Sequence, residues 1–144
     1  MLTLDHKIAE TLNAAEQFSA FLDAETAALG KADYRTFSSM QEMKMHLAQK
    51  YQDSILSFEE DLPHLKNLPE NAKDRLRRMH TRYAESSQAN EKALLAAKNV
   101  TERMVKLIMN AAKQTVMDGP SYSAAGVQGI SDKLPIHFKL NETL

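Results

Sequence analysis

The sequence predicts an all-α fold: an antiparallel three-helix bundle, made of a helical hairpin plus a long third helix that overhangs it, with an irregular C-terminal tail. Three observations predict it. Four glycines and four prolines, the residues that most strongly punctuate helices, occur in 144 residues and cut the chain into three long pieces and a tail. Apolar residues recur at steps of three and four in each piece. No alternation of strand period occurs before the tail, and no repeat of solenoid period is evident.

The first helix is expected over about 3–29. Leu4, Ile8, Leu12, Ala15, Phe18, Leu22 and Leu29 form its stripe, Thr3 is placed to cap its free amides, and Gly30 stands where a left-handed residue is wanted. The second, over about 33–62, starts from Asp33 as N-cap and carries Phe37, Met40, Leu47, Tyr51, Ile55, Phe58 and Leu62. A connection this short makes the two antiparallel. The third is expected over 70–117, with a seam through Leu76, Met79, Tyr83, Asn90, Leu94, Ala97, Met104, Ile108 and Ala111. Asn90 on that seam is either a register-setting buried amide or a residue at a wet end of the packing. The shared core is expected to hold Leu12, Phe18, Leu22, Phe37, Leu47, Ile55, Leu76, Met79 and Tyr83.

Residues 1–117 therefore read as one helical domain and 118–144 as an extended or irregular tail, where Gly119, Pro120, Gly126, Gly129 and Pro135 break any helix. Within it Leu134, Ile136, Phe138 and Leu140 alternate with strand period, so the tail is either a cover for the helix before it or a disordered terminus. At the second connection Glu59, Glu60 and Asp61 stand at a helix C-terminus and Lys73, Arg75, Arg77 and Arg78 at a helix N-terminus, each opposing its own macrodipole. Antiparallel packing is expected to bring the two clusters together.

Composition narrows the chemistry. The formal charge is −1 with 26% charged residues, so no global basic field favours nucleic acid or anionic lipid. Without cysteine there are no disulfides, thiolate nucleophiles or Cys-based zinc sites. No long apolar run predicts membrane insertion, and the N-terminus is too polar for a signal peptide, so the chain reads as cytoplasmic. The five histidines form no HExxH and no Glu-x-x-His pair; Glu42 and His46, four apart, make half a metal site at most and are better read as solvated. There is no GxSxG and no glycine-rich phosphate loop. No enzyme, cofactor or metal is expected. Residues 73–82, KDRLRRMHTR, are the one basic cluster, and without a second patch or interleaved aromatics they read as a solvated face.

The binding expectation comes from length. A third helix starting near 70 beside a second of 33–62 draws level with the first turn near residue 99, leaving 100–117 without a partner in the hairpin. Val100, Met104, Leu107, Ile108 and Ala111 lie there at helical steps and are the expected partner-binding stripe, covered by a client, by the tail, or by a second copy in a homodimer.

The stretch ETLNAAEQFSAFLDAETAALGKADYRTFSSMQEMKMHLAQKY, with Glu25, Leu29, Asp33 and Lys44, then ANEKALLAAK with Asn90, Leu94 and Leu95, an amphipathic helix and YSAAG, resembles the flagellar export chaperone FlgN family over roughly residues 8–126. The resemblance implies a cytoplasmic type III export chaperone that binds hook-associated junction proteins through a C-terminal helical region, here about Asn99 to Met117, and delivers them to the export apparatus. None of the matching motifs is catalytic. Helix geometry alone sets Glu25 opposite residues 37–39, too far from Lys44 to assure a salt bridge, and the residues leave the role of that pair open. A generic coiled-coil adaptor or oligomerisation module is the alternative.

Overall fold

The computed structural model describes residues 2–118, with side chains to residue 115. The described residues divide into two compact units, one up to residue 91 and one from residue 92. Its elements are α1 (Leu4–Gly30), α2 (Tyr34–Leu56), a 3-10 turn at Glu59–Asp61, α3 (Leu62–Leu65) and α4 (Glu70–Asp118); no strand occurs among the described residues. Of the expected tail, 118–144, Asp118 is instead the last residue of α4, and 119–144 with the alternating segment lie outside the described residues.

Within the first unit α1 and α2 form an antiparallel hairpin, and α4 up to residue 91 runs parallel to α1. That direction follows from Arg82 meeting Glu16 and Asp23 while Asn90, two turns on, meets Glu25 and Thr26. Both N-caps form as the sequence predicts. Thr3 Oγ1 accepts the His6 amide and Asp33 Oδ1 the Thr36 amide, each at 3.2 Å.

The turn between α1 and α2 is built differently from expectation. Gly30 is an ordinary helical residue, and the left-handed position falls on Ala32, at φ 54°. The Asp33 amide reaches back to the Ala28 carbonyl (2.9 Å) and the Ala32 amide to Leu29 (3.0 Å), the paired bonds of a Schellman ending. Asp33 closes one helix with its backbone and opens the next with its side chain. That double duty fixes the left-handed residue one position before Asp33 and leaves Gly30 inside the helix.

The second helix stops at Leu56, short of residue 62. The Ser54 and Ser57 hydroxyls donate at 2.6 Å to the carbonyls of Tyr51 and Ser54, competing with the helical ladder, and the Phe58 amide tightens onto Ile55 at 3.1 Å. The bend carries Phe58 into the core at 8% exposure and leaves Ile55, an expected core residue, 42% exposed.

The buried stripe of α1 is Ile8, Thr11, Ala15, Phe18, Leu22, Glu25 and Leu29, a strict alternation of three and four that takes in two polar positions. Phe37, Gln41 and Lys44 continue it on α2 and Ser86 and Asn90 on α4. Leu12, Leu47, Leu76, Met79 and Tyr83 are half-buried around this centre. One ring from each long helix meets there: Phe18, Tyr51 and Tyr83 stand 5.0 to 6.3 Å apart. Burial, with Tyr83 alongside, raises the Tyr51 hydroxyl above its usual range.

Candidate functional site

In the second unit α4 continues with no glycine or proline to interrupt it, and its Leu94 and Ala97 are buried. From Lys98 to Thr115 no residue is. The expected stripe falls in this span: Val100 is 44% exposed, Met104 54%, Leu107 69% and Ile108 38%, with Ala111 exposed as well. At 100° per residue these five occupy about 100° of the circumference. Thr101, Val105 and Ala112, not among the expected residues, are half-buried and lie beside Ile108 on the line running on from Leu94 and Ala97. Threonine and alanine carry little hydropathy signal, and Val105 lies about 60° round the helix from Ile108, off the expected stripe.

Such a surface can hold apolar segments and can do no acid-base chemistry. Arg103 borders it, Glu102, Lys106 and Lys113 stand on the far side of the helix, and none of the four makes an ion pair among the described residues. Covering four large side chains that are about half exposed would contribute on the order of 1 kcal/mol each. The same residues standing open in water are a liability when they form one patch.

In the first unit the structure assembles a polar cluster that spacing arguments alone do not assure. Lys44 Nζ lies 2.8 Å from Glu25 Oε1, with the two side chains 3% and 0% exposed. Gln41 Nε2 donates to Glu25 Oε2 at 3.0 Å and Asn90 Nδ2 to Glu25 Oε1 at 2.9 Å, while Asn90 Oδ1 faces the ammonium at 3.5 Å. The salt bridge that helix geometry alone did not assure is therefore formed. Gln41 lies close to the level of Glu25, Lys44 is one turn of about 5 Å farther, and the lysine stem spans that turn. The signal was present in the sequence: Glu25, Lys44 and Asn90 each occupy a seam position of their own helix.

The charge clusters do not meet as expected either. Asp61 pairs with Lys7 of α1 at 2.7 Å, and Lys7 Nζ also donates to the Ser57 carbonyl at 3.1 Å, because the bend after Leu56 turns this carboxylate toward the start of α1. Glu59 and Glu60 make no ion pair among the described residues. Lys73 and Arg77 turn to Glu70 and Asp74 on their own helix, and Arg82 bridges Asp23 (2.6 Å) and Glu16 (3.3 Å). Desolvation alone would raise the Asp23 carboxyl, but Arg82 and Ser86 beside it outweigh that and hold it below its ordinary value. Glu42 and His46 are exposed on α2, and among the described residues no three His, Asp or Glu side chains gather as a metal site. No helix among the described residues is long and apolar enough to cross a membrane.

Comparison with protein-family profiles, with curated proteins and with solved structures returned no significant match.

Proposed function

We propose that this chain is a cytoplasmic flagellar export chaperone that holds hook-associated junction proteins through Val100, Met104, Leu107, Ile108 and Ala111 and passes them to the export apparatus. The observation that carries the reading is the row of large apolar side chains left 38 to 69% exposed on α4. A helix with one apolar face takes up a second amphipathic segment in the manner of helix-in-groove recognition. A client whose terminal segment stays unfolded until assembly needs such a cover to prevent self-association. The family resemblance in the sequence supplies the identity of the client.

Co-purification with the junction proteins of the same genome tests the reading. Met104→Glu with Ile108→Glu is expected to keep helicity and lose the client; retained client would overturn the assignment of the stripe. A generic oligomerisation module would cover the same residues with a second copy, so a mass by light scattering that doubles with concentration, and falls back in the double variant, would favour that alternative.

A further inference from the structure

The first turns of α4 concentrate positive charge. Lys73, Arg75, Arg77, Arg78 and Arg82 lie within ten residues that hold one acid, Asp74, at the helix end whose macrodipole is itself positive. The acidic triplet that might neutralise them does not, since Asp61 is engaged by Lys7. Lys73 and Arg77 are answered by Glu70 and Asp74, and Arg82 by Glu16 and Asp23. Arg75 and Arg78 are left. Both are exposed, neither makes an ion pair among the described residues, and both line one groove between α1 and α4 together with Leu12, Ala15 and Met79. Two unanswered guanidinium groups thus stand over an apolar floor, in the part of α4 that belongs to the first unit.

We propose that this groove docks an acidic amphipathic segment of a protein partner, with carboxylates on Arg75 and Arg78 and an apolar side chain over Leu12 and Met79. Charge complementarity selects the occupant. Guanidinium groups bind carboxylates through paired hydrogen bonds, and an apolar floor adds the contact that exposed ion pairs alone do not supply. Nucleic acid fits less well: no aromatic side chain lines the groove for a base to stack on. Two arginines are also too few to hold a membrane surface, where a cluster of four to eight basic residues is the usual requirement.

The probe is a fluorescein-labelled synthetic peptide of about twelve residues with Glu and Leu at helical spacing, compared with its Glu→Gln counterpart, each titrated with the full chain. The acidic peptide should bind, more weakly as salt rises, and the Gln peptide should not. Arg75→Glu with Arg78→Glu should lower affinity about tenfold or more while circular dichroism and the melting midpoint hold. Arg75→Gln with Arg78→Gln, which carries less risk to folding, should give a smaller loss in the same direction. Lys106→Glu with Lys113→Glu should change nothing, and the difference between the acidic peptide and its Gln counterpart should survive Met104→Glu with Ile108→Glu, which separates this surface from the stripe. Failure of the wild-type chain to bind the acidic peptide would overturn the proposal, as would equal binding by the Arg75 and Arg78 variants or an equal loss in the lysine variant. Binding of a single-stranded oligonucleotide or of phosphatidylglycerol vesicles through Arg75 and Arg78, with the peptide ignored, would also overturn it.

Discussion

Replacing Lys44 by Met tests the polar centre of the hairpin. The Glu25 carboxylate is fully buried and holds three donors, Lys44 Nζ, Gln41 Nε2 and Asn90 Nδ2, of which only the first carries charge. Methionine approximates the lysine stem, so the substitution leaves shape nearly unchanged and strands a carboxylate among two amides. Breaking a buried pair from one side costs about 3 to 5 kcal/mol. A domain of this size is stable by about 5 to 15 kcal/mol, so the loss is a large share of the total. With a urea dependence of about 1 to 3 kcal/mol per molar, the denaturation midpoint should fall by about 2 M. Glu25→Gln alone should cost a similar amount by stranding the ammonium. Combining the two restores neutrality and keeps an oxygen for Gln41 and Asn90, so the double variant should be more stable than Lys44→Met. Urea titration followed by far-ultraviolet circular dichroism reads all four corners of the cycle. Additive losses, or a single variant within about 1 kcal/mol of the parent, would refute the claim that the pair is buried and mutually compensating.

Other consequences follow from the turn between α1 and α2. Ala32 holds a left-handed conformation that costs an L-residue about 1 kcal/mol, whereas Gly30 sits in the helix with open space where a methyl group would stand, so Ala32→Gly and Gly30→Ala should each raise stability by about 0.5 to 1 kcal/mol in thermal melts. A loss in either would mean that the turn is not the one described. The side-chain and backbone hydrogen bonds from Thr36 hold the Asp33 carboxyl below its ordinary 3.8. Well above that value the group is ionised in both states and its contribution is complete. As pH falls below it, the unfolded chain takes up the proton first and stability drops. Asp33→Asn, which can still cap, should therefore flatten the decline in stability between about pH 5 and pH 3; an unchanged slope would assign the decline to other carboxylates, Asp23 among them.

The helical character and both N-caps were legible in the sequence because each depends on local pattern. Thr3 and Asp33 cap through amides three residues on. What was not legible depends on details finer than hydropathy. The end of α2 turns on serine hydroxyls at 54 and 57, and Ile55 becomes exposed although it is an apolar residue at a helical step. Counting only apolar residues also displaced the α2 stripe onto Met40 and Leu47, while the structure buries Gln41 and Lys44. A heptad position occupied by a charge reads as surface until its partner on another helix is identified. For Glu25 that partner was hidden by measuring reach from the backbone and neglecting the lysine stem.

The same cluster explains why this packing, among several that would bury a similar apolar area, is the one adopted. Moving α4 by one turn along α1 would put Ser86 where Asn90 stands, and its short hydroxyl could not span the distance from which the Asn90 amide reaches Glu25 and the Leu22 carbonyl. Moving α2 by one turn would bring Ala48 to the place of Lys44 and leave the carboxylate without a counter-charge. Apolar seams tolerate such slips, because one aliphatic contact replaces another at small cost, whereas a buried carboxylate does not. Glu25, Lys44 and Asn90 therefore act less as a source of stability than as a key for register, raising the energy of every neighbouring arrangement.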